Sequence, residues 1–194
     1  MKKPVINPQS ETLSTYLKID NGQLKIPFSQ RPYEWEKGEV ERLFDDVTSL
    51  FLTKNYHMLN FLTLSSENSN EVRIYDGQQR TITSILILAV FTHKLQELGL
   101  QEEASYATRN YLQEDNPLNR KEPVKRKLKF DAAENQKVFN ELLDNGLENI
   151  DETSINRPSQ LAFVANYKFI SELLEEFIIE ESIESDQLSQ EKYG

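Results

Sequence analysis

The apolar positions change period several times along the chain, and each change marks an element. Leu13, Tyr16 and Leu17 recur at helical spacing behind Ser10, a side chain suited to cap a helix start. After an Asn21-Gly22 turn, Leu24, Ile26 and Phe28 alternate with polar neighbours, the period of a half-buried strand. Pro27 and Pro32 cannot donate to a ladder, so this strand is expected at a sheet edge, running into an ordered loop. Val40, Leu43, Phe44, Val47, Leu50 and Phe51 predict a helix over 37–54. Strands are expected over 57–64 and 71–75, joined by a Ser/Asn/Glu-rich hairpin loop and paired antiparallel.

A helix over 79–98 is different in kind. Ile82, Ile85, Leu86, Ile87, Leu88, Ala89, Val90 and Phe91 surround almost its whole circumference, which places it in the middle of a domain. Gly99 is suited to end it. A further, basic-edged strand is expected over 127–130, then a helix carrying Val138, Phe139, Leu142 and Leu143 that closes at Asn145-Gly146. The last helix, 159–185, has Phe163, Tyr167, Ile170, Leu174 and Phe177 on one stripe, and the ten polar residues at the end read as a linker. There is no internal repeat.

Composition narrows the chemistry. A chain of 194 residues suits one large domain or a domain with a helical appendage. It has no cysteine, which excludes disulfides and thiolate metal sites, and His57 and His93 are the only imidazoles. The longest apolar run, Ile85 to Phe91, is far short of the ~20 residues a membrane span needs. The start, Met1-Lys2-Lys3-Pro4, lacks the apolar core of a signal peptide, so a cytoplasmic location is expected. The net charge of −10 argues against non-specific nucleic-acid binding by the chain as a whole. Eight acidic residues against one basic from Ser171 onwards carry −7 of it, leaving −3 for 1–170. A local basic face built from Arg120, Lys121, Lys125, Arg126, Lys127 and Lys129 therefore stays open, as nucleic-acid contact or as solvated surface.

The strongest local signal is Tyr75-Asp76-Gly77-Gln78-Gln79-Arg80-Thr81, where a predicted strand hands over to the buried helix. A glycine there permits positive φ and leaves room for a ligand. First-turn amides lack helical acceptors and lie at the positive end of the helix dipole, a place that suits phosphate. Arg80 is expected to contact phosphate oxygens, Thr81 to offer a hydroxyl, and Gln78 and Gln79 to position a nucleotide. Asp76 is expected to hold Mg²⁺ or orient a water for attack on a γ-phosphate. The bland alternative is an ordinary Asp-Gly turn followed by a surface arginine. A second cluster runs from Ile26 to Trp35, where two prolines restrict the loop that carries Gln30 and Arg31. Arg31 is the candidate second cation, and Tyr33 and Trp35 either stack on a base or anchor the loop to the core.

Together these segments resemble the N-terminal domain of the GmrSD-type, modification-dependent restriction endonucleases. The Asp76–Arg80 turn is similar to that family's DGQQR hallmark, and Ile26 to Trp35 is similar to its Ile-Pro-x-Phe-Gln-Arg-x-Tyr-x-Trp segment, with Phe28 one place early. Lys127 to Phe130 with Asn135 and Phe139 resembles its strand-plus-helix block, and Asn166-Tyr167 with Phe169 its late helical segment. One departure stands at Leu59-Asn60-Phe61-Leu62, where the family usually has Leu-Gly-Ser-Ile, so Asn60 replaces a glycine.

The resemblance implies an α+β fold, ParB- and sulfiredoxin-like: a small mixed sheet surrounded by helices, with a long C-terminal amphipathic helix. It implies a nucleotide-binding domain over 1–155 and a helical extension over 156–194 leading to a nuclease domain. It further implies that a nucleoside triphosphate with Mg²⁺ is bound by Gln30, Arg31, Gly77, Gln78, Gln79, Arg80 and Thr81. Asp76 and Gln79 would be catalytic, with Asp76 also the metal ligand. DNA would be engaged through the full-length protein, with a nuclease domain or partner subunit doing the cutting. No His-Asn-His-type motif is visible, so this chain is not expected to cut DNA itself. The competing expectation is a non-enzymatic module that recognises modified DNA or a partner.

Overall fold

A computed structural model describes residues 7–18, 22–53, 58, 61–68, 71–114 and 124–193, with the side chains of 51, 52, 66–68 and 183–193 left out. The elements in chain order are α1 (Leu13–Lys18), β1 (Gln23–Ile26), α2 (Lys37–Thr53), β2 (Thr63–Asn68), β3 (Glu71–Asp76) and α3 (Gln78–Glu97). Then come α4 (Gln101–Ala107) with a π turn at Thr108–Leu112, β4 (Gln113–Glu114), β5 (Lys125–Arg126), β6 (Leu128–Phe130), α5 (Ala133–Asn145) and α6 (Pro158–Tyr193). The class is mixed α+β, as expected, with β4 and β5 forming a separate two-stranded ribbon.

The main sheet has the order β2-β3-β1-β6, with β1 parallel to both β3 and β6 and β2 antiparallel to β3. The hairpin of β2 and β3 was legible, though β2 begins only at Thr63, and His57 lies outside the described residues. β1 corrects an expectation: it is an interior strand and not an edge. Pro27 stands one residue past its last paired position, Ile26↔Phe130, so the missing donor costs no ladder bond, and Phe28 lies beyond the strand. Leu24 and Ile26 are buried, in register with Leu128 and Phe130. Because three strands run parallel, Ile26, Asp76 and Phe130 all end at one edge of the sheet.

α3 is the central helix. Eleven of its twenty residues are buried, so it cannot be a surface element. α6 lays Phe163, Tyr167, Ile170 and Leu174 into the same core, and its helix continues to Tyr193, past the expected stop near 185. Below the carboxyl edge of the sheet, four rings interlock. Phe130, Phe139 and Phe163 have centroids 5.1–5.4 Å apart, and Tyr33 of the following loop joins Phe163 at 5.3 Å. Such pairs add to the burial each ring already contributes.

Phe163→Ala is expected to lower unfolding stability by about 3–5 kcal/mol in urea titrations. Leu161→Ala, 53% exposed on the same helix, should stay within about 0.5 kcal/mol of wild type.

A second expectation concerns His93 of α3, whose Nδ1 shares a hydrogen bond with the Tyr167 hydroxyl of α6. Burial pushes its pKa below the ordinary 6.5, against smaller upward pulls from the Leu143 backbone and from Glu97, Asp144 and Glu148. The unfolded chain therefore takes up the proton first. His93 contributes stability that is complete above pH 6.5 and is lost as pH falls through the lower folded value. His93→Gln should flatten that part of a melting-temperature profile, and an unchanged slope would remove the assignment.

Candidate functional site

The strand-to-helix turn is built on a left-handed glycine. Gly77 has φ 91° and ψ 8°, and its N–H donates to Asp76 Oδ1 at 2.9 Å. The left-handed backbone favours glycine, and a Cβ here would lie 2.0 Å from Leu62 Cδ2, so the leucine end would have to swing aside. The room above Gly77 is thus filled by Leu62, a residue of the segment that departs from the family pattern. Leu59 and Asn60 lie outside the described residues.

The side chains of the turn diverge. Gln78 is buried, and its Oε1 accepts no hydrogen bond. Thr81 points into the core: its hydroxyl donates to the Gly77 carbonyl at 3.1 Å and pairs with the Tyr16 hydroxyl at 2.9 Å. Burial pushes the Tyr16 phenol up to about 12, with the Thr81 bond pulling slightly the other way. Arg80 is half-buried and has no ion pair among the described residues. Asp76 is exposed.

Gln79 reaches away from the turn to the loop after β1. Its Nε2 donates to the Pro32 carbonyl at 2.8 Å, and its Oε1 accepts from Glu34 N–H at 3.0 Å. One amide therefore grips the backbone on both sides of Tyr33. Tyr33 is itself the loop's anchor. Its N–H donates to Ser159 Oγ at 2.9 Å, and its hydroxyl meets Thr83 Oγ1 at 2.8 Å and Asn166 Nδ2 at 2.9 Å. Asn166 also donates to the Trp35 carbonyl at 2.7 Å. Burial pushes the Tyr33 phenol up to about 12, so it remains a neutral hydrogen-bonding group at ordinary pH. Of the two readings open for Tyr33, anchoring is what the geometry shows. Trp35 is half-buried against the core.

The loop held in this way separates two cavities. A cleft of about 450 Å³ opens beyond the carboxyl ends of β1 and β6, lined among others by Gln30, Arg31, Ile82, Phe130, Asn135 and Arg157. A second hollow, about 330 Å³, is lined by Arg31, Glu34, Trp35, Glu36, Glu39 and Gln79. Arg31 lines both, is exposed, and has no ion pair among the described residues. Gln30, Arg31 and Gln79 are thus brought together. Asp76, Gly77, Gln78, Arg80 and Thr81 line neither cavity. Arg31 and Arg80 are the chain neighbours of Pro32 and Gln79, the two residues that share this hydrogen bond. Asn135, read only as part of the strand-plus-helix block, and Arg157 of the cleft were not among the expected site residues.

The basic stretch fares differently. Arg126 is buried and donates to Gln113 Oε1 at 3.0 Å and to Asp144. Lys127 is buried with Nζ on the Lys18 carbonyl at 2.9 Å, and Lys125 pairs with Glu114 at 2.9 Å. Only Lys129 is exposed without such a pair, and Arg120 and Lys121 lie outside the described residues. Charges spent internally supply little to a nucleic-acid face.

A mixed sheet that brings three strand ends to one edge, with a glycine turn and an arginine-bearing loop tied together there, defines an α+β domain. Residues 13–192 match the family described as GmrSD restriction endonuclease, N-terminal domain, which spans most of the chain. The chain belongs to that family, and so to the domains of restriction proteins that act in defence against phage. No curated protein matches the sequence. Among the described residues, no helix is long and apolar enough to cross a membrane.

Gln79→Ala should free the loop without unfolding the domain. Trp35, the only tryptophan, reports it: its emission should shift to the red and its anisotropy fall, with a stability loss of about 1–3 kcal/mol for two hydrogen bonds. Unchanged Trp35 fluorescence would mean that the loop is held by Tyr33 and Asn166 alone.

Proposed function

We propose that this domain binds, and in the intact restriction protein hydrolyses, a nucleoside triphosphate whose phosphates lie between Arg31 and Arg80. The observation that carries this reading is the Gln79–Pro32 bond, which ties the loop carrying Arg31 to the start of the helix carrying Arg80, neither arginine having an ion pair among the described residues. Arginines with no ion pair among the described residues are suited to an anion, although Glu34, Glu36 and Glu39 share the hollow that Arg31 lines. The start of α3 adds the positive end of a twenty-residue helix.

Each side chain takes a part that its present bonds allow. Arg31 and Arg80 hold phosphate oxygens, with Gln30 beside Arg31, while the buried Gln78 could act only by turning its Nε2 outward. Gly77 and Thr81 shape the turn, and the Thr81 hydroxyl keeps its inward partners. Gln79 has both amide atoms engaged on the loop, so its contribution is to hold Arg31 in place. Asp76 remains the candidate for activating water and for Mg²⁺.

The donor set fits that ion. Mg²⁺ uses one or two carboxylates together with phosphate oxygens and water, and Asp76 offers an exposed carboxylate with one oxygen outside its bond to Gly77. No cluster of three acidic or imidazole ligands occurs among the described residues, consistent with a site completed by the nucleotide. Bound there, the ion would neutralise charge on the β- and γ-phosphates. In hydrolysis, water adds to the γ-phosphorus, the bond to the β-bridging oxygen breaks, and a diphosphate and inorganic phosphate leave.

The competing reading, a DNA-recognition module without nucleotide, rests on the basic stretch. The internal pairing of Lys125, Arg126 and Lys127 weakens it. Calorimetry with ATP, GTP, CTP and UTP in Mg²⁺ tests the first reading. Arg31→Ala and Arg80→Ala should each weaken the best ligand by roughly 10- to 150-fold, the worth of a charged hydrogen bond, while circular dichroism stays unchanged. Wild-type affinity in both variants would sink the phosphate assignment.

A further inference from the structure

We propose that the cleft beyond β1 and β6 is the nucleobase pocket of this domain, with Asn135 as its specificity-determining residue. This deepens the nucleotide reading and rests on it.

Four observations place a base there. Arg31 lines both the cleft and the hollow beside Gln79, so a ligand whose phosphates meet Arg31 has the cleft as its neighbouring space. The cleft is apolar where a ring would lie, with Ile26, Ile82, Phe130 and Phe163 among its walls. Its volume of about 450 Å³ falls in the range of small-ligand sites. Phe28 belongs to the same lining yet is 75% exposed, a free aromatic face at a rim suited to stacking on a base.

The polar groups distinguish base from phosphate. Arg157, the other cation of the cleft, already pairs with Glu134 at 3.2 Å, so the cleft is not a second polyphosphate site. Asn135 carries an acceptor without a partner among the described residues: its Oδ1 is closed to water and accepts no hydrogen bond. Its neighbour Gln136 is satisfied in full by the Phe130 N–H, the Leu128 carbonyl and Asn140. An amide carries an acceptor and a donor side by side, and turning about its last torsion presents either to the cleft. That pairing matches the adjacent donor and acceptor on the edge of a base. A carboxylate at the same place offers acceptors only, which suits the two neighbouring N–H donors of guanine.

Calorimetry on the full chain with ATP, GTP, CTP and UTP in Mg²⁺ reads this directly. Wild type should favour some bases over others, and Asn135→Leu should compress the spread of affinities to within about threefold. Asn135→Asp should raise GTP relative to the other three by ~10-fold. Phe28→Ala should weaken all four in similar proportion, a loss of stacking without a change of ranking. Equal binding of all four by wild type, or an unchanged ranking and spread in both Asn135 variants, overturns the base assignment. If those variants are silent while Arg31→Ala still abolishes binding, only the base pocket fails. If wild type binds no triphosphate at all, the nucleotide reading fails and the pocket with it.

Discussion

The tie between Gln79 and the loop backbone organises this site. A single amide at the second residue of α3 donates to Pro32 and accepts from Glu34, binding together segments 45 residues and more apart in the chain. It shares this task with Tyr33, whose hydroxyl meets Thr83 four residues further along α3. The loop has prolines at 27 and 32, which narrow its choices, but narrowing is not placement. The amide holds the loop backbone on both sides of Tyr33 against the start of α3, and with it the backbone that carries Arg31.

Beneath this tie the loop is fastened from a second direction. Tyr33 is buried between α3 and α6, meeting Thr83 on one and Ser159 and Asn166 on the other. Its ring closes the cluster of Phe130, Phe139 and Phe163, so the floor of the cleft and the anchor of the loop are one packed unit. Low entropy in the loop before a ligand arrives means less to lose when it binds. The parallel pairing of β1 with β3 and β6 does the rest, because it delivers three chain exits to one edge.

Much of this was legible in residue order, and the exceptions have local causes. The circumference of apolar side chains over 82–91 identified the central helix, since no surface helix tolerates it. Asp76-Gly77 announced its turn, and the left-handed φ of Gly77 follows from it. The interior position of β1 was not legible, because strand neighbours are chosen across the whole chain and Pro27 misses the ladder by one residue. Thr81 looked like a ligand group from its distance to Arg80. Helix phase turns it inward to Tyr16, and phase depends on what the helix packs against. Lys125 to Lys129 read as a basic face, yet β-strand alternation and the proximity of Glu114 and Asp144 consume most of its charge. α4, the π turn and the β4–β5 ribbon gave no periodic signal, being short.

The central claim is that Gln79 acts on the ligand through Arg31, by holding the loop that carries it. A double-mutant cycle on triphosphate affinity measures this most directly. Gln79→Ala should weaken binding in the wild-type background and cost little more once Arg31 is alanine, because the held side chain is already gone. An equal loss in both backgrounds would show that Gln79 meets the nucleotide independently, and would contradict the account.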